Sequence, residues 1–478
     1  MEEEARHECG LFGIFAPGKN VAWLTARGLD GQQTRGQEGA GIATTDGRNF
    51  HIRKDRGLVV QVFPRPGSVR HLKGFAAIGH VRYSTTGRDT LANVQPLYVD
   101  GPNGEICLGH NGNLINAAAL RSELTEQGVS FRTTTDSEVI AQLLVHAPGK
   151  DWVERLRSVM GRIVGSYCLV ILTKHSIMVA RDPVGNRPLA IAKTDGYYAV
   201  ASESGVFNNL PTEYLREVEP GEIIVFHEEA GMLSFPSEVR EQKGHCSFEL
   251  IYFMRPDSVF MGQESGMVRY RAGRKLAECY PAEADFVVGV PRSGFYAADG
   301  FAHASRIPSA HGIVFNQNKR VFLTPNQDER EAEYNLKYST LQLIRGRRLV
   351  IVDDSIVRGN STSRVIKLLR RAEVAEIHLR ITFPPVVHPC HYGIDMATYS
   401  DLIAARQGEG KSKEEIERAL VDHYGVDSLR YLSIADLVEA VAVSEENLCL
   451  RCVGGREIFN SREVFSKEQF EPVSWLIN

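Results

Sequence analysis

Residues 349–363, LVIVDDSIVRGNSTS, decide the reading of the fold. Four apolar residues (Leu349, Val350, Ile351 and Val352) run straight into two adjacent carboxylates, Asp353 and Asp354. A short loop with Gly359 follows, and Ser355, Ser361, Thr362 and Ser363 place hydroxyls along it. In the next stretch, RVIKLLRRA, the apolar Val365, Ile366, Leu368, Leu369 and Ala372 recur at helical spacing. The pattern predicts a buried strand, a polar loop at its carboxyl end and an amphipathic helix, the place where an open α/β sheet binds ligands.

The chemistry of that loop suits a sugar phosphate. Backbone N–H groups around Gly359 and at the helix start make an anion site, and the hydroxyls add donors to phosphate oxygens. Two neighbouring carboxylates suit ribose hydroxyls, or a hydrated Mg²⁺ carried by a pyrophosphate. An ordinary strand-to-helix turn capped by Asp and Ser is the plainer reading, and the coincidence of double acid, glycine and hydroxyls argues against it. A second strand, DFVVGVP (285–291), also ends in a polar turn, Arg292-Ser293-Gly294.

A chain of 478 residues predicts two domains, or three at most. Hydrophobic residues are 43% and charged residues 24%, ordinary for a globular protein. A net charge of −4 makes neither nucleic acid nor an anionic membrane a default partner. No apolar run reaches the length that spans a bilayer. The N-terminus, MEEEARHE, lacks the basic and apolar regions of a signal peptide, so a cytoplasmic location is expected. The 8 cysteines then read as catalytic, metal-binding or buried thiols rather than disulfides. Polar breaks fall at Ser237–His245 and Gly408–Glu415, the latter with a capping box from Ser412 to Glu415 that opens a helix.

In the N-terminal half, Cys9-Gly-Leu-Phe-Gly-Ile-Phe15 reads as a strand. IGHVRYSTTG (78–87) puts Arg82 just after an apolar segment, LGHNGN (108–113) puts Asn111 and Gly112 in a turn-forming pair, and TTTDSEV (133–139) puts Asp136 and Glu138 at a helix start. These parts can assemble a glutamine hydrolysis site. A Cys9 thiolate attacks the side-chain amide, with the α-amine of the same residue as base. Asn111 and the Gly112 N–H meet the oxyanion. Arg82 pairs bidentately with the α-carboxylate, and Asp136 takes the α-ammonium.

The order Cys-Gly-x-x-Gly, QxRGQEGAGI, GHxRYST, HNGN, TDSE, here residues 9–13, 33–42, 79–85, 110–113 and 135–138, resembles the N-terminal-nucleophile glutamine amidotransferases. The resemblance implies that Cys9 becomes the first residue and that residues 1–8 are an acidic propeptide removed after Glu8. It also implies a substrate-binding role for Arg35, whose predecessor is Thr34 where the family usually has His. ARDPVGNRPL (180–189) and ASESGVF (201–207) continue the likeness, with Arg181, Asp182, Arg187 and Glu203 expected as structural or interdomain charges.

In the C-terminal half, DDSIVRG resembles the phosphoribosyl-pyrophosphate (PRPP) loop of type I phosphoribosyltransferases, and more narrowly that of glutamine PRPP amidotransferases. The resemblance implies substrate contacts from Ser355, Arg358, Gly359, Asn360, Ser361 and Thr362, and a Mg²⁺ site at Ser293, Asp353 and Asp354. Three departures stand out: Arg292 replaces an acid, Asn360 replaces a Thr, and VFNQNKRV (314–321) keeps Arg320 and Lys319 but not the rest of the usual PRPP-closing loop.

Cys246, Cys390, Cys449 and Cys452 match the cluster ligands of the iron–sulfur, propeptide-bearing branch of that family. Four thiolates suit a [4Fe–4S] cluster or a tetrahedral zinc, and the resemblance favours the cluster. His245, His388 and His391 read as neighbours, and Cys107, Cys168 and Cys279 as core. The implied fold is an N-terminal-nucleophile αββα sandwich (9–240), a type I phosphoribosyltransferase α/β domain (246–440) and a cysteine-bearing tail (441–478). The implied reaction is glutamine, PRPP and water to 5-phosphoribosylamine, pyrophosphate and glutamate, the entry to purine synthesis. The implied partners are glutamine, PRPP and further copies of the chain, without nucleic acid or membrane. Three alternatives remain: a glutamine amidotransferase with another phosphorylated acceptor, a non-catalytic PRPP- or nucleotide-binding regulatory paralogue, and a salvage transferase with a vestigial first domain.

Overall fold

The CGLFGIF run forms a fully buried strand, Gly10–Phe15, paired on one side with Ala76–Arg82 and on the other with Tyr197–Ala201. The computed structural model describes residues 9–83, 87–194, 196–237, 242–315, 338–396, 398–408, 410–459 and 470–471. The expected propeptide 1–8 and residues 316–321 of the expected PRPP-closing loop lie outside the described residues.

Among the described residues the N-terminal half holds two antiparallel sheets, of 7 and 6 strands. The period-2 alternation of a strand sorts its side chains between two cores. Leu11 and Phe15 point into the layer between the sheets with Cys107, Cys168, Val170 and Val179. Phe12 and Ile14 point outward against helix Ala22–Asp30. The second sheet buries its far face under helices Ala117–Glu126, Asp136–His146 and Trp152–Met160. This is the expected helix–sheet–sheet–helix sandwich. Each fully buried Leu, Ile or Phe in these layers contributes roughly 1.5–3 kcal/mol relative to exposure.

The C-terminal half centres on a parallel sheet in the order Phe286–Gly289, Arg348–Asp353, Glu376–Ile381, Ser428–Tyr431. Val350 and Val352 face one core, Leu349 and Ile351 the other. A parallel strand covered on both faces reads as an unbroken apolar run, which is why LVIV does not alternate. Helix Asn360–Arg371 follows and buries Val365, Ile366 and Leu369. The Ser412–Glu415 capping box opens helix Lys413–Tyr424, with both reciprocal bonds made. Among the described residues no helix is long and apolar enough to cross a membrane.

Two expectations are corrected. Asn111 and Gly112 sit inside the long strand Gly104–Leu114 rather than in a turn. Gly112 has φ +147°, and a Cβ there would lie 2.1 Å from the Ser166 carbonyl oxygen, so the Asn-Gly pair marks a close strand approach. Cys279 is exposed at the end of helix Ser265–Cys279, its thiol 3.6 Å from Asp436 Oδ1.

Candidate active sites

Paired strands and the start of helix Asp136–His146 bring four of the five N-terminal motifs to one pocket. Cys9, Arg82, Gly112 and Asp136 line it together with Gln95 and His110. Cys9 stands at the entry to its strand and donates from Sγ to the Tyr83 carbonyl at 3.3 Å. Burial pushes its thiol up to about 11 against the pull of the neighbouring Arg82 charge, so it is protonated at neutral pH and needs a base. Arg82 ends its strand with its guanidinium on the Arg88 carbonyl, at 3.2 Å from both terminal nitrogens. Asp136 opens helix Asp136–His146, where a carboxylate complements the helix dipole. Its Oδ2 accepts from Leu114 N at 3.0 Å and lies 3.9 Å from His110 Nδ1. Asn111 is buried beside Gly112 with its amide 3.4 Å from Ser202 Oγ.

Arg35 is corrected. It is buried away from the pocket lining, donating to the Cys9 carbonyl from Nε at 3.1 Å and pairing with Glu203 at 2.9 Å and Glu249 at 2.8 Å. It holds the Cys9 backbone carbonyl and lines neither pocket. Glu203 and Arg187 act as the interdomain charges expected: Glu203 accepts from Arg255 N at 2.8 Å, and Arg187 donates to the Tyr392 carbonyl at 2.8 Å. The C-terminal half also closes over the Gly112 side of the pocket. Asn113 donates to the His391 carbonyl at 2.9 Å, Tyr83 donates to Asp395 at 2.9 Å, and a Cβ on Gly393 would come within 3.0–3.2 Å of the Gly112 backbone.

The polar loop after Arg348–Asp353 opens into a cleft of about 340 Å³ lined by Ser293, Asp353, Asp354, Ser355, Arg358, Gly359, Ser361 and Thr362. Asp353 is half-buried and accepts from Asp354 N at 2.9 Å, while Ser355 Oγ donates to Asp354 Oδ1 at 2.5 Å. Gly359 caps the following helix at φ +84°, and a Cβ there would lie 2.5 Å from Tyr424 Oη and 2.6 Å from Ile403. Only glycine fits this turn, which leaves the helix N-terminus open to an anion. Asn360 begins the helix and lies outside the cleft lining. Arg292 lines the cleft with its guanidinium 4.6 Å from the centre of the Phe315 ring.

The four candidate ligand cysteines come from three segments to one place. Cys246 and Cys449 are partners in a short parallel pairing, and Cys452 feels the charge of Cys449, Cys390 and Cys246. Burial pushes all four thiols up, Cys449 to about 12. Among the described residues no three His, Cys, Asp or Glu are spaced to hold a single metal ion.

Several site residues escaped sequence reasoning. His110, Thr135 and Ser137 lie within the quoted motifs, so adjacency was a usable signal, whereas Gln95 had none. On the other cleft, Thr34, Tyr252, Met254 and Arg269 join the lining from the first half and the domain junction. Arg269 is buried and donates to the Leu250, Tyr252 and Met254 carbonyls, fixing the junction turn beside Asp354.

Known proteins match both halves. A glutamine amidotransferase domain model matches residues 80–209, and a phosphoribosyl transferase domain model matches residues 267–385. The amidophosphoribosyltransferase of Methanocaldococcus jannaschii is 42% identical over 94% of this chain and 97% of its own. That of Bacillus subtilis is 39% identical over 94% of each. A solved structure of the glutamine PRPP amidotransferase from B. subtilis, complexed with ADP and GMP, superposes with a TM-score of 0.87 at 39% identity, covering 96% of this chain and 99% of that one. A second solved structure, of the allosteric regulatory enzyme of purine biosynthesis, gives 0.89 at 38% identity, covering 97% and 99%. With both pockets present and likeness running through the whole chain, this protein belongs to the amidophosphoribosyltransferase family.

Proposed function

We infer that the chain converts glutamine, PRPP and water to 5-phosphoribosylamine, pyrophosphate and glutamate, the first step of purine synthesis. The observation that carries this is the turn at Gln32–Arg35. Arg35 holds the Cys9 carbonyl, and its neighbour Thr34 lines the polar cleft, so a single turn joins the backbone of the nucleophile to that cleft. Adjacent pockets suit a nitrogen released in one and consumed in the other.

In the first pocket Arg82 holds the α-carboxylate of glutamine and Asp136 the α-ammonium. The Cys9 α-amine, exposed once residues 1–8 are gone, takes the thiol proton, and Sγ attacks the side-chain carbon. Asn111 and the Gly112 N–H receive the oxyanion. Ammonia leaves, and water converts the Cys9 thioester to glutamate. In the second pocket Ser355, Arg358, Ser361, Thr362 and the N–H groups after Gly359 hold the 5-phosphate. Ammonia forms a bond to C1 of the ribose as the C1–oxygen bond to pyrophosphate breaks.

Asp353, Asp354 and Ser293 offer the hard oxygen donors that suit Mg²⁺. When bound there, Mg²⁺ offsets the negative charge that builds on pyrophosphate. The four convergent cysteines fit a [4Fe–4S] cluster with a structural role.

Steady-state assay with glutamine, with and without PRPP, tests the reading. Equal yields of glutamate and pyrophosphate are expected. Glutamate without pyrophosphate would redirect the assignment to another acceptor, and pyrophosphate from ammonia but never from glutamine would indicate a vestigial first domain.

A further inference from the structure

The glutamine pocket recognises an α-amino acid by two opposite charges, Arg82 and Asp136, carried on different segments. Their spacing decides how well the α-carboxylate and α-ammonium fit together, so whatever joins those segments sets affinity. Asn93 is one joint. Its amide donates to the Arg88 carbonyl at 2.9 Å and to Thr134 Oγ1 at 2.8 Å, and its oxygen accepts from Thr134 N at 3.0 Å.

The second joint comes from the far end of the chain. Glu471 Oε1 accepts from Arg88 N at 2.8 Å and from Thr134 Oγ1 at 2.7 Å, and Oε2 lies 3.7 Å from Arg88 Nε. Its side chain is only 10% exposed. Arg88 is therefore held from both sides, with its carbonyl on Arg82 and its N–H on Glu471. Phe470 anchors the attachment: Arg121 stands 4.8 Å from its ring centre and 4.0 Å from that of Phe131, and donates to the Thr133 carbonyl at 3.0 Å. Thr133 and Thr134 lead directly into Asp136.

We propose that Glu471 is a positioning residue for glutamine, fastening the segment that carries Arg82 to the helix start that carries Asp136. This rests on the glutamine-pocket reading above. Without the carboxylate, two donors lose their acceptor and the two charges lose their fixed separation, so ground-state binding of glutamine weakens.

The test is steady-state kinetics of the full-length chain with glutamine and, separately, with ammonia. Glu471→Ala is expected to raise KM for glutamine by about tenfold with kcat changed by less than about threefold. Glu471→Gln keeps an oxygen at the Oε1 position and is expected to stay within about threefold of the parent KM. Asp136→Asn is the control for the pocket. If it raises KM for glutamine while Glu471→Ala stays within about twofold of the parent, the Glu471 proposal is overturned and the pocket reading stands. If Asp136→Asn leaves KM unchanged, the pocket reading fails and the proposal with it. Proportional loss of glutamine- and ammonia-supported synthesis in Glu471→Ala would reduce Glu471 to general stability and also overturn the proposal.

Discussion

Arg35 and Glu249, 214 residues apart in the chain, share hydrogen bonds of 2.8 and 3.1 Å in the buried seam between the two halves. Glu249 is fully buried and also lies 3.6 Å from Arg187. Two arginines from the first half thus surround one carboxylate from the second. Burying these charges is costly in isolation, and the mutual pairing offsets that cost. The same Arg35 holds the Cys9 carbonyl, so the seam and the nucleophile share one guanidinium.

Removing Glu249 alone leaves buried arginines without their acceptor. Glu249→Ala is expected to destabilise the protein by roughly 3–5 kcal/mol. Chemical denaturation, followed by tryptophan fluorescence and circular dichroism, measures it. A loss below about 1 kcal/mol, the range of an exposed pair, would mean that the seam is solvated.

The mature enzyme is expected to start at Cys9, because the buried thiol, raised to about 11, requires the α-amine as its base. Intact-mass measurement of active protein checks this, and glutamine-dependent activity with Glu8 still attached would sink the mechanism. Cys9→Ala should abolish glutamine use and leave ammonia-dependent synthesis.

Asp353→Asn/Asp354→Asn should eliminate pyrophosphate release from either nitrogen source while glutamine still binds. Synthesis of phosphoribosylamine from ammonia at the parent rate would show that the PRPP site lies elsewhere.

Protein purified without oxygen should be brown and carry about four irons per chain. Cys449→Ser should bleach the colour and lower stability. One zinc per colourless chain would assign the cysteines to a structural zinc instead.

His80, buried with Nε2 3.2 Å from the His110 carbonyl oxygen, is held near 3 by burial and by the charge of Arg82. Its folded value lies below the ordinary 6.5, so the folded state binds fewer protons in this window. The stability it contributes is full above pH 6.5 and falls toward pH 3, by at most about 1.4 kcal/mol per pH unit. Denaturation midpoints at pH 7, 5 and 4 should fall less steeply in His80→Gln. Equal slopes in the two proteins would remove His80 as the titrating group.

Local pattern carried much of this architecture. LVIVDDSIVRG gave strand, loop and helix because burial on both faces writes a continuous apolar run, and three of the N-terminal motifs converge on Cys9 because the sandwich places their strands and one helix start side by side. What local pattern could not carry was set by distant partners. Arg35 looked like a substrate ligand because its motif surrounds the site, yet its role is defined by Glu203 and Glu249, far along the chain. Asn111-Gly112 has the composition of a turn, and only the Ser166 carbonyl across the sheet explains why it is a strand. Cys279 sits in an apolar stretch but falls on the outer end of its helix.

The glycine-on-glycine meeting of Gly393 with Gly112 bears on how this family can change over time. Neither position has room for a side chain, and the two belong to halves that otherwise resemble separate enzymes. The two halves thus meet backbone to backbone here, and a side chain at Gly393 would press on the Gly112 strand, so the fit between them depends on glycine at this position. A chimaera joining this first half to a transferase from a lineage with a bulkier residue at the position of Gly393 should fold in both parts yet lose the coupling of glutamine to product.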